Sequence, residues 1–509
     1  MAERSALPRL SAAYDGAPRH GGLRPGIVHL GLGNFHRAHQ AVYTRAALDA
    51  SRAGGAVGAG GDEWGIVGVA NRSAAVPDAM HAQDLLYTVV EIAPEGQRFS
   101  VPGVHTDAFT AAGDPERVVA SIGASGTRIV SLTVTENGYC YSPRTGHLAV
   151  DDPAIRRDVS DAARPSTPIG QIARGLQSRA RSHGEPITVL SCDNLADNGH
   201  HTERLVREFA GLLPEAEAAE LLAFIADRVT FPSTMVDRIV PATTDHYRRL
   251  VADRLGYVDD VPVPAEPFSM WVLEERFAAG RPAWEAGGAV FSDEVSRYEE
   301  LKVRLLNGTH SLIAYLGALS GAATIPESVR QAPIEAAARA VLRDEYRPSV
   351  TAPRGVDLDA YEEDLFTRWR NTALGHRTSQ VGSDGSLKLR QRIPVPALAA
   401  LDAGRMPHFL ALTAAAYLAC LAPLPGFDPG PHAWAMVDPA RGALAQAAER
   451  SSSSADLARR VLGEQHLLGE ELAGRDAFIE RTGELLDVIR AHGAPAAAAE
   501  AGAAHHHTA

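Results

Sequence analysis

Residues 299–311 read EELKVRLLNGTHS, and three side chains in this stretch have chemistry that belongs together. Lys302 can act as a general base in alcohol oxidation if burial lowers its pKa from about 10.4 toward neutrality. Asn307, five residues on, can donate to a developing alkoxide. His310, eight residues from the lysine, can hold a neighbouring hydroxyl. Spacing alone favours an amphipathic helix with an exposed lysine and a break at Gly308. A further neutral amide, Asn194, lies in SCDNLADNG (191–199), just past a strand-like run. Ligands of α/β sheets gather at the carboxyl ends of strands, which suits that position.

A second constellation opens near the N-terminus, where residues 26–40 read GIVHLGLGNFHRAHQ. An apolar strand runs into Gly31, Leu32, Gly33, Asn34 and Phe35, and a helix-compatible stretch follows. Gly31 permits a tight turn, and Gly33 lets the backbone approach a pyrophosphate at a helix N-terminus. His36 stands where a third glycine would pack helix against strand, so the dinucleotide fingerprint is partly met. The next strand ends at Asn71-Arg72-Ser73-Ala74-Ala75. A carboxylate there holds the ribose hydroxyls of NAD, whereas an arginine suits the 2′-phosphate of NADP. Arg72 is either that arginine or a solvated loop residue; NAD is expected, with NADP possible.

No metal site is expected. His36 and His39 are three apart and could face one way on a helix, but no further ligands of zinc-site spacing accompany them. His505, His506 and His507 read as a disordered tail. Cys140, Cys192 and Cys420 are odd in number and widely spaced, which suggests buried free thiols.

The 509 residues are too many for one core and predict two domains. A net charge of −13 argues against nucleic acid as a partner. The chain shows neither a membrane-spanning apolar run nor a signal-peptide pattern, and a cytoplasmic enzyme acting on a small molecule is expected, as a monomer or small homo-oligomer. Four β-rich runs, GIVHLG (26–31), WGIVGVA (64–70), TRIVSLTV (127–134) and PITVLSC (186–192), alternate with helix-like stretches. Continuous Val/Ile/Leu runs of this kind fit parallel strands covered on both faces. The fold class is α/β: a Rossmann-type doubly wound sheet followed by a mainly α-helical second domain. The boundary falls near residue 285, giving domains 1–285 and 286–509. Helices are predicted over 299–319, 329–345, 394–421 and 455–492. AGGAVGAGG (53–61) reads as a surface loop, SSSS (451–454) as a linker, and the Ala-rich tail from 494 as frayed.

KVRLLNGTHS resembles the signature of the long-chain polyol dehydrogenases, the mannitol dehydrogenase family, whose pattern is Lys-x4-Asn-Gly-x-His. The resemblance extends through GLGNFHRAHQA (31–41), SLTVTENGYC (131–140), SCDNLADNG (191–199), FPSTMVDRIVP (231–241), EPFSMWVLEERFAAGRPAW (266–284) and DGSLK (384–388). These matches are collinear from residue 26 to about 392.

The resemblance implies metal-independent hydride transfer between NAD(P) and a secondary alcohol. Lys302 would be the general acid/base, Asn194 and Asn307 the pair that polarises the substrate oxygen, and His310 the group that orients a hydroxyl. Glu136, in TENGY, would help carry protons to solvent, and Thr135 beside it joins Gly31, Gly33, Asn34, Phe35 and Arg72 on the cofactor side. Asp237 and Arg238 (MVDR) match a further family segment. Asp237, Arg377, Gln380 and Lys388 are the expected substrate contacts. Two departures from mannitol-type members stand out: Ala74 and Ala75 stand where acids are usual, and Gln380 stands where some have arginine. The segment GHRTSQVGSDGSLKLRQR (375–392) is instead similar to the fructuronate reductase (mannonate oxidoreductase) branch, in which Arg377 could meet a carboxylate or be an ordinary structural arginine. The expected function is mannitol 2-dehydrogenase type, interconverting mannitol and fructose or a related sugar alcohol and keto-sugar. Fructuronate reductase is the alternative. A non-catalytic cofactor-binding sensor is the third reading, against which the joint presence of Lys302, Asn194, Asn307 and His310 weighs.

Overall fold

The computed structural model describes residues 7–18, 22–53, 64–142 and 145–508. The glycine cluster expected as a loop lies, beyond Ala53, outside these residues. The chain divides into two compact units, Met1–Ser296 and Arg297–Ala509.

The N-terminal unit is built on a six-stranded sheet. Numbering only its strands in chain order, they are β1 (Pro25–Leu30), β2 (Gly65–Ala70), β3 (His105–Thr110), β4 (Ile129–Leu132), β5 (Ile187–Ser191) and β6 (Val229–Thr230). Their spatial order is β3-β2-β1-β4-β5-β6, with every neighbouring pair parallel. This is the doubly wound order in which a dinucleotide lies across the strand ends, where the order reverses beside β1. Side chains alternate between faces, as the pleat requires. Val28, Val67, Val130 and Val189 pack into one core with helices Pro115–Gly123, Pro168–Ser182 and Asn198–Gly211. Ile27, Ile66, Ile129 and Leu190 enter another with Tyr43, Trp271 and Trp284. The four strand-like runs of the sequence are thus the four central strands. β3 and β6 escaped that reading because HTDAFT carries four polar residues and VT is only two residues long. Two three-stranded sheets, also unforeseen, complete the unit: one of Val89–Ala93, Gly96–Ser100 and Val263–Ala265, the other of Thr234–Asp237, Met270–Leu273 and Val290–Phe291.

The C-terminal unit is helical. At its centre helix His408–Leu421 is buried along its whole length, and Thr309–Leu319 is buried at all but its last residue. Both sequences are apolar nearly all round, as a core helix must be. The expected helix 394–421 is in fact two, Pro394–Asp402 and His408–Leu421, because Gly404 takes φ +73° and Pro407 follows. The stretch 455–492 is likewise interrupted, with His466 at φ +51° and Gly469 at +99°, before helix Asp476–His492. Within 329–345, Arg330 and Gln331 separate helix Ile325–Val329 from Ala332–Ala340. The serine linker ends one residue earlier than expected: Ser454 opens helix Ser454–Ala458, which the Ser453 side chain caps.

The Ala-rich tail corrects the reading made of it. Ala494–Thr508 is a helix, and Ala494, Ala497, Ala498 and Ala501 lie in the core. Their spacing of three, four and seven is a helical apolar stripe, and alanine side chains small enough for close packing disguised it as low-complexity sequence. His505 is correspondingly ordered rather than part of a loose tail. Its Nε2 lies 3.2 Å from an Asp344 carboxylate oxygen, and its ring is 5.6 Å from that of Phe409.

Candidate active site

The turn after β1 is fastened on both sides. The Gly31 and Leu32 N–H groups donate to the Val69 carbonyl at the end of β2 (2.8 and 3.1 Å). Thr133, after β4, donates its N–H to Leu30 (2.9 Å) and its hydroxyl to the Gly31 carbonyl (2.9 Å). Gly31 has φ +105°, and a Cβ there would stand 2.0 Å from the Thr133 carbonyl oxygen, so no other residue fits. Gly33 is exposed and precedes helix Asn34–Ala38, whose first N–H groups have no intrahelical acceptor. The side chain of Asn34 is engaged inward: it donates to the Pro241 carbonyl and the Thr243 hydroxyl (3.1 Å each) and accepts from Arg37 (2.7 Å). Phe35 stacks on His39 with centroids 4.8 Å apart. What this turn presents is backbone.

The histidines of HRAH do not share a face, which corrects that expectation. The helix breaks at His39 (φ −123°, ψ −92°), and the two rings enter different surroundings. His36 stacks on His29 (3.5 Å between centroids) and meets His105 Nε2 at 3.1 Å. His39 Nε2 lies 3.1 Å from the Met270 carbonyl oxygen. Burial pushes the pKa of His29 down to about 3 and that of His36 well below the ordinary range, where the neighbouring His29 and His105 press further. His36 thus fills the third-glycine position as a neutral packing group. Among the described residues, no three His, Cys, Asp or Glu side chains gather in a way that could hold a metal ion.

At the ends of β4 and β5 the organiser is Asp193, which the sequence reading passed over beside Asn194. Its carboxylate accepts from the N–H groups of Val134 (2.9 Å) and Thr135 (3.0 Å) and from the Tyr139 hydroxyl (2.9 Å). Thr135, at φ +63°, and Glu136 therefore stand in a turn tied to the strand end that carries the exposed Asn194. Asn198 is fully buried and bridges the Asp193 carbonyl (3.0 Å) to Thr234 (2.9 Å). Asp237 ends a strand of the second small sheet and is buried, and Arg238 beside it donates to the Glu266 carbonyl (3.0 Å) and to Glu91 (2.7 Å). Arg238 holds the sheets together. Arg72, Ala74 and Ala75 are exposed after β2.

In the C-terminal unit the Lys302 segment departs from an ordinary helix. Residues Lys302–Gly308 form a π-helical turn between Val295–Leu301 and Thr309–Leu319. On an α-helix of 3.6 residues per turn, side chains five apart diverge by about 140°. A π-turn, bonded i to i+5, stacks residue i+5 above residue i. Asn307 is thereby brought over Lys302, and His310, three residues on in α-helix, continues that line. Lys302 and His310 are each only 7% exposed, and Asn307 is half-buried with its carbonyl accepting from Ser311 (3.1 Å). The helix does not break at Gly308: a Cβ there would lie 2.3 Å from the Tyr346 ring, so this glycine makes room for a buried tyrosine.

Around His310 the structure assembles residues that spacing could not associate. The His376 ring lies 5.1 Å from it and the Trp369 ring 6.0 Å. His310 is held far below its ordinary pKa by burial and then by His376, Arg392, Arg368 and Lys388. Burial, Lys388 and Arg368 bring His376 down to about 4. Arg392 donates to the Ser311 hydroxyl (2.6 Å), and Lys388 Nζ donates to the Ser383 carbonyl (2.8 Å). Of the expected substrate contacts in this unit, Lys388 thus joins His310. Arg377, next to His376 and N-cap of helix Thr378–Gly382, and Gln380 within that helix are both exposed.

A dinucleotide-type parallel sheet is followed by a helical unit that carries a buried lysine and imidazole with a half-buried amide between them in the chain. Residues 25–286 match the mannitol dehydrogenase Rossmann domain and 294–489 the mannitol dehydrogenase C-terminal domain. The chain belongs to the mannitol dehydrogenase family and is an oxidoreductase. It is 36% identical over 479 residues to the D-mannonate oxidoreductase of Escherichia coli (strain K12), covering 93% of this chain and 94% of that relative. It is 34% identical over 396 residues to the polyol:NADP oxidoreductase of Gluconobacter oxydans (strain 621H), covering 77% and 79%. The solved mannitol 2-dehydrogenase of Pseudomonas fluorescens, a ternary complex with NAD and D-mannitol, matches with a TM-score of 0.83 at 33% identity, over 97% of this chain and 96% of that one. No helix among the described residues is long and apolar enough to cross a membrane.

Proposed function

We propose that this enzyme transfers a hydride between NAD(P) and the C2 secondary alcohol of a mannitol-type polyol, interconverting it with the 2-keto-sugar. The observation that carries the reading is the π-turn that aligns buried Lys302 with Asn307 and His310. Lys302 takes the hydroxyl proton during oxidation and returns it during reduction. Asn194 and Asn307 donate to the substrate oxygen as negative charge develops on it. His310, neutral, holds an adjacent hydroxyl, and Glu136 relays the proton toward solvent. Asp237, Arg377, Gln380 and Lys388 contact the rest of the substrate.

Residues 1–285 serve the cofactor and 286–509 supply the acid/base and most substrate contacts. The β1 turn fits a pyrophosphate because a helix starts at Asn34 directly after the exposed, side-chain-free Gly33. The nicotinamide ring, when bound, accepts or gives the hydride. Thr135, Phe35 and Arg72 would be further cofactor contacts along the strand ends. Both cofactors are used, since no carboxylate follows β2 before Asp78 to oppose a 2′-phosphate. No metal takes part, and the enzyme works in the cytoplasm as a monomer or small homo-oligomer.

A second reading, reduction of fructuronate to mannonate, is favoured by the cations Arg368, Lys388 and Arg392 crowded around His310 and His376. A carboxylated substrate would find its counter-charge there. Steady-state kinetics with mannitol, arabinitol, fructose and fructuronate, each with both cofactors, decides between them. Turnover of mannitol and fructose supports the first reading. A preference for fructuronate of a hundredfold or more replaces it with the second, and turnover of none of the four rejects both. Activity lost to EDTA and restored by zinc would overturn the metal-independent mechanism.

A further inference from the structure

One cavity of the N-terminal unit, about 700 Å³ in volume, lies at the carboxyl ends of the parallel strands. Asn71 and Arg72 reach it from the end of β2, Ala111 and Ala112 from the end of β3, and Asn137 and Gly138 from the turn after β4. Its far wall comes from the excursion between β4 and β5 and includes Arg157 and Arg164. The volume is that of a small-molecule site. Its place beside the end of β2 is where a dinucleotide fold receives the adenosine ribose.

The three arginines differ from the others nearby. Arg179 is buried and donates to the backbone carbonyls of Glu185, Ala124 and Pro186. Arg174, also buried, donates to the Asp158 carbonyl and the Gln177 side chain. Arg72, Arg157 and Arg164 are exposed, and among the described residues none of them has an ion-pair or side-chain hydrogen-bond partner. The one carboxylate on the lining, Asp152, is turned to its own helix, where it accepts from the Ala154 N–H (2.7 Å). In a chain of net charge −13, three uncompensated guanidinium groups lining one cavity mark a place for an anion.

We infer that Arg157 and Arg164, with Arg72, form a 2′-phosphate site that makes this chain prefer NADP(H) to NAD(H). The inference rests on the cofactor reading above and deepens it, because it moves the determinant from the β2 end alone to the segment 157–164. A ribose 2′-phosphate carries close to two negative charges at neutral pH, and the guanidinium fork matches its oxygens. Charge-assisted hydrogen bonds to it would favour the phosphorylated ribose by about 10- to 100-fold.

The test is calorimetric titration of the full chain with adenosine 2′,5′-bisphosphate and with 5′-AMP, at low and high salt. We expect the bisphosphate to bind at least about tenfold tighter, with the preference shrinking as salt screens it. Arg157→Ala with Arg164→Ala should abolish most of that preference while leaving 5′-AMP affinity and thermal stability unchanged, since both side chains are exposed. Ala75→Asp, a second route, should lower bisphosphate affinity alone. The ratio of kcat/KM for NADPH over NADH should follow the same order. Equal affinity for the two nucleotides in the wild type, or a preference that survives the double substitution, overturns the inference while the cofactor reading stands. Binding of neither nucleotide nor of NAD(H) overturns the cofactor reading and this inference with it.

Discussion

The turn Gly31–His39 and the turn Lys302–His310 both lead into helices and both bury a histidine held neutral, yet they are finished in opposite ways. In the first, Asn34 bonds Pro241, Thr243 and Arg37, His36 bonds His105, and Arg37 Nη1 bonds the Val261 carbonyl (2.6 Å). Those side chains face inward and the exposed part is Gly33 backbone. In the second, the backbone is closed into a π-turn and the buried His310 ring faces the His376 and Trp369 rings, which come from other elements. A phosphate-bearing cofactor is read by N–H groups and a helix end, which any side chain would obstruct. A hydroxylated substrate is read by side chains, which need a rigid backbone to aim them. The same residue type, buried histidine, is packing in one turn and is proposed as recognition in the other.

The strongest way to break this contrast is at Lys302. Lys302→Ala should lower kcat/KM by roughly 10²–10⁴ and leave cofactor affinity almost unchanged, because a general acid/base acts in the chemical step. A variant within threefold of wild type would remove the lysine from the mechanism. Next in size, Asn307→Ala and Asn194→Ala should each slow kcat by roughly 10²–10³, the range for one oxyanion donor. A rise in KM alone would make that amide a uniform binding contact instead.

Much of this contrast was written in the sequence, and the missing part has definite causes. Lys302, Asn307 and His310 could be proposed as a set from residue type and family resemblance, and the six-strand sheet was legible from four of its strands. The π-turn was not, because α-helical periodicity places Lys302 and Asn307 on diverging faces and only backbone geometry restores the alignment. Asp193 was overlooked because its role, tying the N–H groups of Val134 and Thr135 to β5, depends on two strand ends being adjacent in space. His376, Arg368 and Arg392 come to His310 from other helices, and no local spacing encodes that. The C-terminal helix was misread for the opposite reason. Composition suggested fraying, while the positions of Ala494, Ala497, Ala498 and Ala501 already held a helical stripe.

The two histidines themselves sharpen the comparison. His36→Ala should cost stability by about 2–4 kcal/mol, the range for emptying a packed site, and leave KM for substrate unchanged at neutral pH. His310→Asn should do the reverse, raising KM for the polyol about tenfold with little change in Tm. Thermal unfolding and steady-state kinetics on both variants check this. Equal effects of the two substitutions on KM would erase the distinction between packing and recognition.

The smallest effect expected is one of pH, and it follows from the sealed side of the contrast. His29 has its pKa pushed down to about 3 by burial, against about 6.5 in the unfolded chain. Between those values the unfolded state binds a proton that the folded state refuses, so stability is fully present above pH 6.5 and falls as the pH drops toward 3. By about pH 5 a histidine of this kind has taken on the order of 2 kcal/mol from folding. His36, lowered in the same direction beside it, adds to the fall. His29→Gln removes one of these titrations: the amide can still reach the Ser131 hydroxyl, which lies 2.8 Å from the imidazole, but it binds no proton. The variant should be less stable than wild type at pH 7.5, yet lose less on going to pH 5, by about the share of one histidine. Denaturant unfolding at the two pH values measures the difference directly. If wild type and variant fall by the same amount, His29 is not held neutral by its burial. The stacked histidines behind the β1 turn would then need a different account from the one given for His36.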